Sequence, residues 1–197
     1  MMTTGEADVK MRILQAAKKL FSEYGFEKTT VRQICEEAGA NLALVSYHFG
    51  GKENMFAALF ESYFPNDQLA EVDPSIDPIE GVRLVIREVT SFRYRDPELI
   101  SIIQQEIIMN TERIQKIRMH VMPMWRLLRH WLEQGREQGI FHFQSLDSTL
   151  MSVIGTLLFH RNTSYWEVLL EEAPPSAEEM IEDLTTFVMN ALQRKSK

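Results

Sequence analysis

The chain has 197 residues, 45% of them hydrophobic, and a formal net charge of -7. That length supports one sizeable core, or a small unit fused to a larger one, and the acidic balance excludes a protein that coats nucleic acid by charge alone. A single cysteine, Cys35, excludes an intrachain disulfide and fits a reducing compartment.

Charged residues Glu6, Asp8, Lys10 and Arg12 interrupt any N-terminal apolar run. Apolar runs of the length of a membrane span, about 18 residues, do not occur, so a cytoplasmic protein with no membrane partner is expected. Glycine and proline are few and sit mostly between periodic segments, and no alternating strand pattern is present. These features predict an all-α fold of about nine helices.

In chain order, the first helix is expected over about 7–24. Ile13, Ala17, Leu20, Phe21 and Tyr24 repeat at helical spacing, and Gly25 supplies the stop. Phe26 is then placed to fold back on Phe21. Thr30 and Gln33 form a capping box for a second helix with Val31, Ile34, Cys35 and Ala38 on its buried stripe. Gly39 ends it. Asn41 caps a third helix, about 42–49, with Val45 and Phe49 inward. Gly50 and Gly51 break the chain before a fourth helix from about Lys52, whose inward face carries Met55, Phe56, Leu59, Phe60 and Tyr63.

Residues 65–78 hold three prolines and four acids and read as a linker. The expected division is therefore 1–64, with a helix-turn-helix at about 30–49, and 65–197. A fifth helix is expected over about 79–94. Asp96-Pro97, a cap with Pro at the first helical position, opens a sixth that runs to about Asn110. Thr111 caps a further turn or two, and Pro123 should end or kink the chain there. A seventh helix follows over about 124–138 and an eighth over about 146–161. The last opens at Ser176, where Glu179 completes a second capping box, and runs to about Gln193.

Residues 29–53, TTVRQICEEAGANLALVSYHFGGKE, compress two short helices around a glycine turn, followed by an aromatic-His-aromatic exit and a lysine. That order is the shape of a DNA-reading helix-turn-helix. The ordered set Leu20-Phe21, Tyr24-Gly25-Phe26, Thr29-Thr30-Val31-Arg32, Ile34, Ala38-Gly39, Asn41, Tyr47-His48-Phe49 and Lys52-Glu53 resembles the DNA-binding domain of TetR-family transcriptional regulators. The resemblance covers the first 60-odd residues. Ala40, Leu42, Ala43, Leu44 and Ser46 depart from the residues the family often carries, so the family's operator does not carry over.

The resemblance implies that the third helix enters the major groove. Side-chain chemistry then assigns phosphate contacts to Thr30, Tyr47, His48 and Lys52. Base reading falls to Arg32, Asn41, Leu42, Ala43, Leu44 and Ser46; the apolar three suit thymine methyl groups. Plainer roles compete. Leu42 stands three before Val45 and can pack in the core, Asn41 can serve only as a cap, and Tyr47 can be half-buried. Cys35, on a buried stripe, is expected to be inert packing. Residues 1–53 carry seven Lys or Arg against seven Asp or Glu. DNA binding must therefore rest on placed contacts.

One such domain reads few base pairs, so a homodimer on a (pseudo)palindromic operator is expected. The eighth helix is apolar on most of its circumference and needs cover on two sides. By resemblance, it and the last helix form a four-helix bundle with their copies, through Leu150, Ile154, Gly155, Leu158, Ile181, Leu184, Phe187 and Val188. Also by resemblance, a small, largely apolar effector would bind among helices five to eight. Candidate lining residues are Phe92, Met109, Met122, Trp125, Met151, Phe159, His160 and Trp166, with Arg126, His130 and His160 as polar anchors. Ordinary core packing is the plainer role for these. The expected function is a DNA-binding regulator, a repressor by the commoner family outcome. The alternative is an effector-independent architectural or spatial regulator with a purely dimerising second domain. The histidines never fall in a metal-ligand spacing with a carboxylate, so no metal, no cofactor and no enzyme activity are expected.

Overall fold

The computed structural model describes residues 4–64, 72–159 and 166–194, with 4–6 and 167 described by backbone only. Among these residues are nine α-helices, one 3₁₀ turn at Glu167–Leu169 and no strand, as the periodicity predicts. The helices are α1 Thr4–Tyr24, α2 Val31–Ala38, α3 Leu42–Phe49, α4 Lys52–Tyr63, α5 Pro78–Arg95, α6 Pro97–Met109, α7 Ile114–Glu137, α8 Leu146–Leu158 and α9 Ala177–Gln193. None of them is long and apolar enough to cross a membrane.

The chain forms two compact units, and they do not follow the linear division at 64/65. The first gathers residues 1–70 with 96–121; the second gathers 71–95 with 122–197. Thus α6 and the opening turns of α7 belong with the N-terminal helices. The reason is visible in the first unit's own packing. Asp96, the N-cap of α6, accepts from Leu99 N–H at 3.1 Å and also takes Lys18 Nζ of α1 at 2.8 Å. Gln105 of α6 donates to the Ser22 carbonyl at 2.8 Å.

The core of the first unit is aromatic. Phe21 meets Phe26 at 5.1 Å between ring centroids, Phe26 meets Phe56 edge-on at 5.4 Å, and Phe56 meets Phe60 at 5.3 Å. Phe26 folds back because Gly25 takes φ 79°, a left-handed turn open to a residue without Cβ. The periodicity misplaces Tyr24: it is 56% exposed, because the last turn of α1 has run past the packed face.

Both ends of α2 are read correctly. Thr30 and Gln33 form the full capping box, and Gly39 closes α2 at φ 59°. The break expected at Pro123 does not occur: α7 continues through it. Pro123 lies on the exposed side of the helix, where the carbonyl it leaves unpaired, that of Met119, can turn to water. The expected last turn of the eighth helix, 160–161, lies outside the described residues, and so does 65–71 of the expected linker.

The second unit is organised around Trp131, fully buried on α7. Its Nε1–H donates to the Pro74 carbonyl at 3.1 Å. Gly81 of α5 lies under the indole, and a Cβ there would stand 2.2 Å from Trp131 Cδ2. Gly135 gives the same room to Phe141. Val82, Val85 and Ile86 of α5, Leu128 and Leu132 of α7, Val153 and Leu157 of α8, and Val188 and Leu192 of α9 complete the core.

Gly81→Ala tests this close approach. The gain in helix propensity is about 1 kcal/mol, but overpacking against an indole held by its own hydrogen bond costs about 1–3 kcal/mol. The urea midpoint should therefore fall, with net destabilisation of about 1 kcal/mol, the middle of that difference, and an unchanged slope. A variant as stable as the parent would show that the indole is free to move aside.

Candidate nucleic-acid interface

The geometry of α2 and α3 follows from their caps. Thr30 Oγ1 accepts from Gln33 N–H at 3.2 Å, and Gln33 Oε1 accepts from Thr30 N–H at 2.8 Å. Asn41 Oδ1 accepts from Leu44 N–H at 2.9 Å, starting α3. Val45 and Phe49, four apart, are buried, so the opposite face of α3 must point out. It does: Leu42 is 61% exposed and Tyr47 73%, and Ala43 and Ser46 are also exposed. Leu44 is half-buried. Leu42 is thus a surface residue, and so is Tyr47. Cys35 is buried, and desolvation pushes its thiol up from the ordinary value, which leaves it inert as expected.

Arg32, on the exposed side of α2, pairs with Glu36 one turn on at 3.1 Å. An exposed pair of this kind contributes little, so the guanidinium is cheaply redirected to another acceptor. Thr30 is exposed at the N-terminus of α2. Its hydroxyl and the free N–H groups of the first turn present donors and the positive end of the helix dipole.

Two of the four residues assigned to phosphate are turned inward. Lys52 Nζ donates to the carbonyls of Phe26 and Thr29, both at 2.9 Å, and sits 4.2 Å from the Phe26 ring centroid. It ties the start of α4 to the α1–α2 turn. The ring nitrogens of His48 are both buried without a hydrogen-bond partner; the ring lies between Tyr47, at 5.0 Å, and Phe49, at 6.1 Å. In this structure the Lys52 ammonium holds the α1–α2 turn, and neither it nor the buried His48 nitrogens are offered at the surface.

Sequence reasoning passed over two residues that hold this head together. Thr29 is 1% exposed, and its hydroxyl reaches the carbonyls of Gly25 at 2.9 Å and Leu20 at 3.1 Å. Arg113 lies 3.9 Å over the Phe26 ring and pairs with Glu27 at 2.9 Å, Glu106 at 3.2 Å and Glu53 at 3.7 Å. The Thr29-Thr30 doublet hinted at the first. Nothing local marked the second, because its partners are far away in sequence.

Among the described members of the expected effector set, only Phe92 is buried. Met109 lies in the first unit and is 73% exposed. Met151 and Phe159 are 63% and 72% exposed. Met122, Trp125 and Trp166 are half-buried, Phe92 is buried, and Phe159 meets Trp166 edge-on at 5.7 Å. His160 lies outside the described residues. Arg126 and His130 are exposed. Methionine and aromatic content marked these segments, but the helix faces decide where each side chain goes. The second unit holds instead a groove of about 240 Å³ between α8 and α9, bordered by Phe143, Ser152, Thr156 and Phe187 among others, and by none of the eight.

Of the expected dimer residues, Phe187 is exposed, Leu150, Ile154, Leu158, Ile181 and Leu184 are half-buried, and Gly155 faces open space. Val188 is an exception. It is 3% exposed within its own chain and belongs to the internal core.

Residues 13–59 match the model of the bacterial regulatory proteins of the TetR family. The chain is a TetR-family transcriptional regulator. It is 26% identical over 158 residues to the HTH-type transcriptional repressor NicS of Pseudomonas putida, a match covering 77% of this chain and 74% of that protein. The HTH-type transcriptional repressor AcnR of Corynebacterium glutamicum is 42% identical over 50 residues, 25% of this chain and 27% of AcnR. The crystal structure of HlyIIR, a hemolysin II transcriptional regulator, superposes with a TM-score of 0.77 at 28% identity, covering 96% of this chain and 99% of HlyIIR. The TetR-family chain is accordingly a DNA-binding regulator and not an enzyme, and among its described residues no His, Cys, Asp and Glu cluster suits a metal.

The inward role of Lys52 is open to measurement. Lys52→Met leaves the Phe26 and Thr29 carbonyls without their charged donor and should destabilise the protein by about 1–3 kcal/mol in urea unfolding. An unchanged midpoint would mean that the ammonium does not hold the turn.

Proposed function

We propose that this regulator is a homodimeric repressor that binds a (pseudo)palindromic operator and is released by a small effector. The observation that carries the DNA-reading half is the outward face of α3. Leu42, Ala43, Ser46 and Tyr47 are exposed together, next to the exposed N-terminus of α2 with Thr30 and Arg32.

Tyr47 and Thr30 donate to phosphate oxygens and fix register, with His48 and Lys52 joining only if their side chains turn outward. Leu42, Ala43 and Leu44 read thymine methyl groups; Ser46, Arg32 and Asn41 supply hydrogen bonds, Asn41 beyond its capping duty. Two α3 helices then meet successive major grooves about 34 Å apart. Support for the dimer comes from α8 and α9, whose outer faces carry Met151, Ile154, Leu158, Ile181, Leu184 and Phe187 without full cover in one chain. An effector that favours one spacing of the reading heads shifts the population between bound and free dimers. The place of action is the cytoplasm, on the nucleoid when DNA is bound.

The second reading, an effector-independent regulator with a purely dimerising second domain, is favoured by the exposure of Met109, Met151 and Phe159 among the expected pocket residues. Small-molecule titration of the DNA complex separates the two.

Selection of bound fragments from the parent genome tests the DNA reading. The enriched site should be a near-palindrome, and enrichment of no sequence would defeat it. On that site, Tyr47→Phe should weaken operator and unrelated DNA alike, by about tenfold. Leu42→Gln should change the preferred base at one position per half-site by about 1–3 kcal/mol; an equal loss on every sequence would remove Leu42 from base reading. Sedimentation should give a species of about twice the 22.9 kDa chain, and Ile154→Arg should convert it to monomer with loss of operator binding. A monomeric parent chain would overturn the half-site argument.

A further inference from the structure

Two residues of the second unit each hold a buried polar atom with no hydrogen-bond partner among the described residues. Thr90 is 0% exposed and Arg93 is 3% exposed. Both stand on α5, three residues apart, so they are neighbours on one face. Thr90 Oγ1 and Arg93 Nε have no hydrogen-bond partner. Arg93 Nη1 donates to the Leu157 carbonyl in the last turn of α8. The same two helices otherwise bury Ile86, Val153 and Leu157, so the surroundings are apolar.

A guanidinium stays charged in a protein, and burial without a counter-charge is costly. Burial holds the Arg93 pKa below its ordinary value, and the neighbouring charge that opposes this is that of Tyr94, not a carboxylate. The Leu157 carbonyl supplies only the partial negative charge of a helix end. A purely structural role, Arg93 as a cap for α8, uses one N–H and leaves the Nε–H and the adjacent hydroxyl unexplained. A water molecule would satisfy the hydroxyl but not the charge.

We propose that Arg93 and Thr90 anchor the carboxylate of a small acidic effector with an apolar body. The fork of Nε–H and a terminal N–H matches the two oxygens of a planar carboxylate, and the Thr90 hydroxyl donates a third hydrogen bond. The assignment rests on the effector reading above and narrows it, placing the polar anchor on α5 instead of at Arg126, His130 or His160.

Thermal unfolding of the full chain with hexanoate, against hexanamide and hexanol as neutral matches, tests it. Saturating hexanoate should raise the midpoint by about 5 °C, and the neutral compounds should not. Thr90→Val should weaken hexanoate binding by about tenfold. Arg93→Met should abolish the response while keeping or raising the midpoint without ligand, since it removes an unpaired buried charge. Equal shifts for hexanoate and hexanamide overturn the anchor. So does no shift with any straight-chain carboxylate of about four to ten carbons, or a hexanoate shift that survives Arg93→Met. Should Arg93→Met fail to fold, Arg93→Lys and Thr90→Val decide: tenfold weaker hexanoate binding in both supports the anchor, and unchanged binding in either overturns it. The same compounds are then added to the DNA complex. Stabilisation through Arg93 with unchanged DNA affinity keeps the carboxylate site and refutes its effector role. Absent carboxylate binding with operator binding and dimer intact overturns the anchor alone.

Discussion

Two cations stand against the ring of Phe26. Lys52 Nζ stands 4.2 Å from its centroid and the Arg113 guanidinium carbon 3.9 Å, while Phe21 and Phe56 pack on its remaining edges. An aromatic face attracts a cation more strongly where water is excluded, and both cations also find oxygen partners: backbone carbonyls for Lys52, carboxylates for Arg113. Through this one side chain the last turn of α1, the start of α4 and the residue just before α7 share a fixed point. It also holds the turn that leads into α2, since Lys52 donates to the Phe26 and Thr29 carbonyls there.

This support shapes the electrostatics of the reading head. The head is neutral over residues 1–53 in a chain of net charge -7, and one of its seven cations, Lys52, is spent on the turn. Outward stand Arg12, Lys19, Lys28 and Arg32, and three of these, Arg12, Lys19 and Arg32, are paired within the head, with Asp8, Glu37 and Glu36 respectively. Such a surface depends on shape and hydrogen-bond placement more than on charge attraction. The apolar Leu42 and Ala43 at its centre fit methyl recognition, where a badly matched base costs through lost contact and stranded polar edges. In the second unit the same logic runs in reverse. There the polar groups Thr90 and Arg93 are sunk among apolar side chains without full satisfaction, a condition that invites a ligand.

Much of the fold was legible in the sequence because helix ends are local events. Thr30 with Gln33, Ser176 with Glu179, and Asp96 before Pro97 all cap where three-residue spacing places them. The inward and outward faces of α3 were legible for the same reason, through Val45 and Phe49. Pro123 misled, because proline is tolerated where its unpaired carbonyl partner can face solvent, and exposure is not a local property. The inward setting of Lys52 and His48 was not legible for another reason. Their chemistry suits phosphate, but the carbonyls and rings nearest to them in space come from a turn and from flanking aromatics. Residue type could not rank those competitors.

The sequence by itself determined the helices, their caps, the helix-turn-helix and the family, since each rests on residues within a few positions of one another. Only the tertiary structure decided which cations face out, that α6 and the start of α7 pack with the N-terminal head, that Val188 is core, and that Arg93 is buried without an acid. Those outcomes depend on contacts between residues tens of positions apart, such as Arg113 with Glu27 or Arg93 with Leu157. The desolvation and pairing that set their energies exist only once the helices have packed.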